Sequence, residues 1–406
     1  MEHPFHLSFA RLFLLVSLTL FVGLSSIPDS EAQRYTISLL TCDPGEELYS
    51  TFGHSAVRVR ELDSGRDLVF NYGTFDFNTP FFYIKFIRRT LDYQLSLTTT
   101  ENFLYEYNYF KRNVREQELA LSEQQARDLV AFLQNNYRPE NRNYRYDFFF
   151  DNCSTRIREM LETVLGSSLK WNHPTDAPSK SFRNLIDEYV YPLPWSDLGI
   201  DLALGAVIDR TANENEKLFL PDYLEAAFQR ATIIGDGPER ALVAENHTIY
   251  DFPATEGQNW NFSNPYLVFW ALAILVGLLT FFGFRNKRLY YGLDIGIFTI
   301  LGLLGLLVVF LWFFTEHSQT KYNWNLLWAF PLHLILAWYL FAKPVHPLVK
   351  KLLLASMILT DLALVIWILG FQSFHPSILP LMLIILLRTN FLYYNLKAFI
   401  GLDKRK

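Results

Sequence analysis

Cysteine is nearly absent: the 406 residues contain two, Cys42 and Cys153. That excludes a disulfide scaffold and a multi-cysteine zinc site, and leaves one bridge at most. Base is not in excess either. The formal net charge is -5 and the polar half carries no basic tract, so no nucleic-acid partner is expected. The histidines lack any H-E-x-x-H or comparable spacing. His173, His247, His346 and His375 are scattered, so no metal and no cofactor is expected. Internal repeats and low-complexity tracts are missing too. Aromatics, by contrast, abound: 36 Phe, 22 Tyr and 9 Trp, as expected where surfaces meet lipid headgroups and acyl chains.

The composition splits the chain. Residues 1–32 read as a secretory signal, with Arg11 ahead of the apolar run Leu12 to Leu24 and Ser30-Glu31-Ala32 as a small-x-small cleavage site. No cysteine follows that site, so it is not a lipoprotein signal. Residues 33–165 read as a small α+β domain and 166–260 as a helical extension or linker. Residues 265–400 read as a membrane domain of five spans: 265–284, 289–314, 326–342, 352–370 and 378–400. Arg285, Lys287 and Arg288 fill the first connection and Lys343, Lys350 and Lys351 the third. Lys404, Arg405 and Lys406 end the tail, residues 401–406. Positive-inside orientation then predicts an inner (cytoplasmic) membrane protein with its first domain on the periplasmic side and its carboxyl terminus in the cytoplasm.

Within the exported part, Tyr35 to Thr41 reads as a strand and His54 opens another. A turn at Asp63-Ser64-Gly65 leads into a strand from Asp67 to Tyr72, followed by an aromatic loop from Gly73 to Tyr83. Ser122 and Gln125 form a capping-box pattern ahead of a helix. A strand from Tyr144 to Phe150 is predicted to deliver Cys153. Beyond it, Ile157, Met160, Leu161, Val164 and Leu165 recur at helical spacing and Gly166 supplies the stop. Asp151 or Asn152 is the natural N-cap, which sets the thiol in the first turn. Free N–H groups and the helix dipole favour thiolate there. This is the layout of a cysteine nucleophile, and a buried or bridged cysteine fits the stretch as well.

His54 could accept the thiol proton, since a thiol and an imidazole from separate elements can meet. Asn71, Ser55 or Asp76 could orient the ring, and backbone N–H groups beside Asn152 could serve an oxyanion. The rival is a Cys42–Cys153 bridge, closing a loop of roughly 110 residues and worth about 4–5 kcal/mol by chain entropy. Tyr72 and Asp76, and His317, Asn323 and Asn325 in the outer connection, are candidates for substrate contact. Of the charges inside the spans, Asp294 reads as structural and Arg388 as a lipid-phosphate ligand or a snorkelling side chain.

Four motifs carry a resemblance. Thr41-Cys42-x-Pro44-Gly45-x-Glu47-Leu48-Tyr49-Ser50-x-Phe52-Gly53-His54-Ser55-Ala56-Val57-Arg58-Val59 resembles the opening motif of the Lnb amino-terminal periplasmic domain family. Asn71 to Phe77 and Phe149 to Arg156 resemble its next two motifs, and Thr320 to Leu332 is similar to the family's membrane signature. The resemblance implies a circularly permuted papain-like domain, as in NlpC-type hydrolases, with His ahead of Cys. It also implies lipoprotein N-acylation with a Cys–His catalytic pair, here Cys153 and His54. On these readings the chain is a thiol acyltransferase taking an acyl chain from a phospholipid, through a thioester, to the amine of a diacylglyceryl-cysteine lipoprotein. A membrane-anchored cysteine hydrolase (amidase, peptidase or lipase) and a non-enzymatic module with bridged cysteines are the alternatives.

Overall fold

The computed structural model describes residues 34–176, 178–235, 238–253 and 264–403. The signal read at residues 1–32, Trp260 and residues 404–406 lie outside these. Alternation of apolar and polar residues builds ten strands: β1 (Tyr35–Cys42), β2 (His54–Glu61), β3 (Asp67–Thr74), β4 (Asp92–Thr99), β5 (Val114–Leu119), β6 (Asn143–Arg145), β7 (Leu169–Lys170), β8 (Thr232–Ile233), β9 (Arg240–Ala241) and β10 (Val243–Tyr250). Seven make an antiparallel sheet in the order β10-β5-β1-β2-β3-β4-β6, and β7, β8 and β9 make a small second one.

Two helices flank β4, α1 (Phe82–Ile87) and α2 (Thr100–Tyr109), and two more follow β5 and β6, α3 (Glu123–Tyr137) and α4 (Cys153–Leu165). One sheet face, with Ile37, Leu39, Val57, Val59, Phe70, Tyr72 and Leu95, buries the apolar stripes of α3 and α4. The other, with Leu40, Cys42, Ala56 and Val69, is covered by Phe103 and Tyr107 of α2. Each such side chain contributes about 1.5–3 kcal/mol of burial. The predicted capping box opens α3: Ser122 Oγ accepts from the Gln125 N–H (3.2 Å) and Gln125 Oε1 from the Ser122 N–H (2.9 Å).

The segment before Cys153 departs from expectation. Strand β6 ends at Arg145, because the Asp147 carboxylate accepts the N–H groups of Phe149 (3.0 Å) and Phe150 (3.1 Å) and curls the chain out of the sheet. Residues 166–260 also hold more than helices. Beside α5 (Phe182–Val190), α6 (Pro194–Ala203) and α7 (Pro221–Arg230), they supply β10, which returns to the edge of the main sheet.

The carboxyl-terminal half contains α8 (Pro265–Arg285), α9 (Tyr291–Phe313), α10 (Asn325–Trp328), α11 (His333–Ala342), α12 (Pro347–Ile368) and α13 (Ile378–Asp403). Taking Asn325–Ala342 as one, five are long and apolar enough to cross a membrane, so this is a multi-pass membrane protein. That span breaks at residues 329–332, where Pro331 cannot donate a helical bond. Gly305 of α9 lies against the break; a Cβ there would stand 2.0 Å from the Ala329 carbonyl oxygen.

Arg388 is neither free for a lipid phosphate nor snorkelling, which corrects both readings. It is fully buried and forks onto Asp294 (Nε–Oδ1 2.7 Å, Nη2–Oδ2 2.8 Å), with Nη1 donating to Thr280 Oγ1 at 2.7 Å. In a low dielectric an unpaired charge is costly, so this bidentate pair ties α8, α9 and α13 together.

Two connections of the membrane half touch the amino-terminal half. Asn323 and Asn325, expected at a headgroup, are fully buried. Asn323 Nδ2 donates to the carbonyls of Leu202 (2.8 Å) and Ala203 (3.2 Å), and Asn325 Nδ2 to that of Asp201 (3.0 Å). They satisfy the last carbonyls of α6, the groups that a helix leaves without partners. From the connection between α12 and α13, the Ser373 N–H donates to Asp209 (3.3 Å).

Candidate active site

Cys153 is the first residue of α4. Asn152, not Asp151, is its cap: Asn152 Oδ1 accepts from the Thr155 N–H (2.9 Å) and Thr155 Oγ1 from the Asn152 N–H (2.8 Å). Asn152 Nδ2 donates to the carbonyls of Phe148 and Phe219, both at 2.8 Å. Its amide is thus occupied in fixing the turn and has no donor to spare for an oxyanion. The N–H groups of the helix start itself are the donors left at this position.

Strand β2 begins at His54, and its Nε2 lies 2.7 Å from Asn71 Oδ1 on β3. After burial, this ring and the Cys153 sulfur are the largest influence on each other's charge. An amide oxygen only accepts, so Nε2 carries the proton of its bond to Asn71 and Nδ1 is the nitrogen left without one in the neutral ring. Burial opposes charge on both groups and is the largest influence on each. It is outweighed at Cys153 by the His54 charge, by its hydrogen bond, by the Ser55 N–H and by Ser154, so the thiol titrates below its ordinary value. At His54 the Cys153 charge and hydrogen bond, with Asn71, hold the imidazole above its ordinary value despite burial and Arg112. Each group's charged form is thus supported by the other's.

Of the three orienting candidates, the structure brings Asn71 to the ring. Ser55 Oγ instead meets Ser154 Oγ (3.0 Å), and Asp76 is exposed in a local turn, accepting from the Asn78 N–H (2.8 Å). Tyr72 faces away from Asn71 into the core, edge-to-face with Tyr144 at 6.3 Å, and is closed to substrate. His317 Nε2 meets the Ile87 carbonyl oxygen at 3.1 Å. Both cysteines are free. Cys42 sits on the α2 side of the sheet, where burial, only partly offset by the Tyr107 hydroxyl, pushes its thiol up to about 12. It is an inert thiol.

The turn ahead of Cys153 is braced by residues that sequence reasoning missed. The buried Asp147 carboxylate takes both its backbone bonds, an ion pair from Arg89 (2.8 Å) and two bonds from Gln319 Nε2 (2.8 and 2.9 Å). Arg89 also donates to the carbonyls of Tyr146 and Glu316, each at 2.9 Å. Gln319 is 172 residues from Asp147, and no local pattern marks it. The membrane half thus holds the thiol's turn directly. Asp147→Ala strips a buried charge cluster of its acid and should cost roughly 3 kcal/mol. Thermal unfolding in detergent checks this, and an unchanged midpoint would contradict it.

Away from the thiol, Asp187, Asp197 and Asp201 bring carboxylate oxygens within 4.8 Å of one another. Arg183 pairs with Asp201, and His375 Nε2 lies 3.4 Å from Asp197. Burial first, then the two neighbouring acids, hold Asp187 up to about 7. This cluster already has Arg183 and His375 as partners.

Comparison with known proteins agrees in both halves. The family model described as the Lnb N-terminal periplasmic domain matches residues 28–188, and that described as the Lnb transmembrane domain matches residues 256–398. No curated protein and no solved structure matches. With a sheet-rich domain followed by five apolar helices, and both family models matched in that order, the chain belongs to the Lnb family.

Proposed function

We propose that the chain is a thiol acyltransferase that N-acylates lipoproteins, with Cys153 as nucleophile, His54 as general base and acid, and Asn71 as the group orienting His54. The observation that carries this is the thiol at a capped helix start, its charge supported by an imidazole whose Nε2 bonds Asn71. A helix carrying the Cys packed on an antiparallel sheet carrying the His suits the papain-like reading. The attached spans argue for a lipid substrate, and basic connections opposite the domain argue for a cytoplasmic carboxyl terminus in an inner membrane.

In the first half-reaction the Cys153 thiolate attacks the ester carbonyl of a membrane phospholipid. The N–H groups at the start of α4 face the oxyanion, and His54 gives its proton to the leaving glyceryl oxygen. A thioester and a lysophospholipid result. In the second, the α-amine of a diacylglyceryl-cysteine lipoprotein attacks the thioester. His54 takes the amine proton, the amide forms and the thiolate leaves.

The test is incubation of the protein with a synthetic diacylglyceryl-cysteine lipopeptide and isotope-labelled phospholipid, read by mass spectrometry. A labelled N-acyl lipopeptide and labelled lysophospholipid are expected. An N-acyl product of unchanged total mass would move the donor to the lipopeptide's own glyceryl ester. Free labelled fatty acid without any amide would make the protein a hydrolase and overturn the acceptor half of the reading.

A further inference from the structure

The short helix α1 is out of place for a water-facing surface. Phe81, Tyr83, Ile84, Phe86 and Ile87 are 75, 76, 57, 49 and 48 % exposed, and Lys85 is the helix's one charge. Scattered apolar residues on a surface mean little, but a contiguous set this large marks an interaction site. Its backbone is also constrained at both ends, since Phe81 (φ 59°) and Arg89 (φ 57°) are non-glycine residues in the left-handed region. Each costs of order 1 kcal/mol and persists only where the surroundings enforce it.

At the Arg89 end the membrane half enforces it. The Glu316 N–H donates to the Arg88 carbonyl (3.0 Å), His317 meets the Ile87 carbonyl and Arg89 holds the Glu316 carbonyl. Residues 314–317 directly follow the outer end of α9. Hence α1 is bonded to the end of an apolar span, and its exposed apolar side chains sit beside that end. Between them is a cavity of about 490 Å³ lined by Arg88, Phe310, Phe313, Phe314, Thr315 and Glu316.

From α1 a chain of rings runs inward. Phe86 stacks on Phe82 (6.1 Å), Phe82 meets Phe77 (5.0 Å) and Phe75 (5.6 Å), Phe75 meets Tyr93 (5.1 Å), and Tyr93 stacks on Tyr146 (4.4 Å). The last ring reaches the nucleophile's door. Gly73 (φ 90°) leaves a space bounded by Cys153 Cβ and Tyr146 Cε2, each 3.9 Å from where its Cβ would stand, and by the Tyr144 hydroxyl at 4.0 Å. The rings themselves offer apolar surface apart from the Tyr hydroxyls.

We propose that α1 dips into the outer leaflet and that the ring ladder from Phe86 to Tyr146 is the track along which a glycerolipid acyl chain reaches the slot at Gly73 beside Cys153. A flexible chain is stabilised by apolar contact along the whole path, while its ester end stops at the thiol. This rests on the acyl-transfer reading above and adds where the lipid enters.

The test places full-length protein in phosphatidylethanolamine–phosphatidylglycerol vesicles containing a phospholipid with a diazirine in its acyl chain. After illumination, peptide mapping is expected to find label on the segment from Phe75 to Tyr93, in wild type and in Cys153→Ala alike. Label confined to the spans would overturn the track, whatever the chemistry at Cys153. A second arm uses Ile84→Asp/Phe86→Asp, two exposed positions. Acyl adduct formation from vesicle phospholipid should fall at least about tenfold while iodoacetamide alkylation of Cys153 stays unchanged. Unchanged adduct formation would overturn the track alone. No adduct even in wild type, with label still present on Phe75–Tyr93, would leave the track standing and refute the acyl-enzyme.

Discussion

Replacing Cys153 by Ala should lower lipoprotein N-acylation on the order of 10⁴-fold or more, while Cys42→Ala leaves it within a few fold. The asymmetry follows from where the two sulfurs lie. Cys153 has an imidazole, a backbone N–H and a helix start to stabilise its thiolate. Cys42 lies on the other face of the sheet, fully buried beside Tyr107, and its thiol is pushed up to about 12. The measurement is the N-acyl product formed by each purified variant, with intact folding checked by thermal unfolding. Equal loss in both variants would mean that the sulfurs act as a pair, as a bridge would require.

His54→Ala is the second large effect. General base catalysis is worth about 10²–10⁴-fold, and here the imidazole also supplies the charge that stabilises the nucleophile. Acylation should fall about 10³-fold. The pH dependence carries the sign. In the wild type the thiol titrates below its ordinary value, so iodoacetamide alkylation of Cys153 should persist below the ~8.5 midpoint of a free cysteine. Without His54, burial is the largest influence remaining, and the midpoint should move above that value. On the alkaline side the wild-type rate should decline as His54 loses its proton, above the ordinary imidazole value because that pKa is raised. Asn71→Ala removes one of the groups holding it up, so this limb should move to lower pH. An alkylation midpoint indifferent to His54 would separate the imidazole from the thiol.

Much of this architecture is local in the chain, and the local part is readable. The helix of Cys153 announces itself by Ile157, Met160, Leu161 and Leu165, which the structure buries on one face. The Ser122–Gln125 box and the five apolar spans are equally local. The expected loop from Gly73 to Tyr83 hides the start of α1, because six residues with Lys85 as the one charge are too few to show a helical period. Tyr72, a candidate for substrate contact, is next to Asn71 in the chain. Strand alternation sends the two to opposite faces, and only the partner elements decide which face is core. Arg388 and Asp294 are 94 residues apart, so their pairing is invisible until the spans pack. The same holds for Gln319 and Asp147. Asn323 and Asn325 read as candidates for substrate contact in the outer connection. Their actual work is to satisfy the end of α6, a need that arises only once two halves of the chain meet.

The union of those halves gives the site its logic. A soluble thiol hydrolase could bring a cysteine and a histidine together without any membrane contact. Here the turn before Cys153 is held through Asp147 by Arg89, beside α1, and by Gln319, from the connection after α9. The thiol's turn is thereby tied to the end of α9, as the proposed attack on an ester that stays in its leaflet requires.

The most direct measurement is the mass of the protein after incubation with phospholipid in the absence of any acceptor, followed by peptide mapping. One hydroxylamine-labile acyl group on Cys153, discharged on addition of a diacylglyceryl-cysteine lipopeptide, is the predicted result. No adduct on Cys153, or a mass two hydrogens short with Cys42 and Cys153 linked, would contradict it.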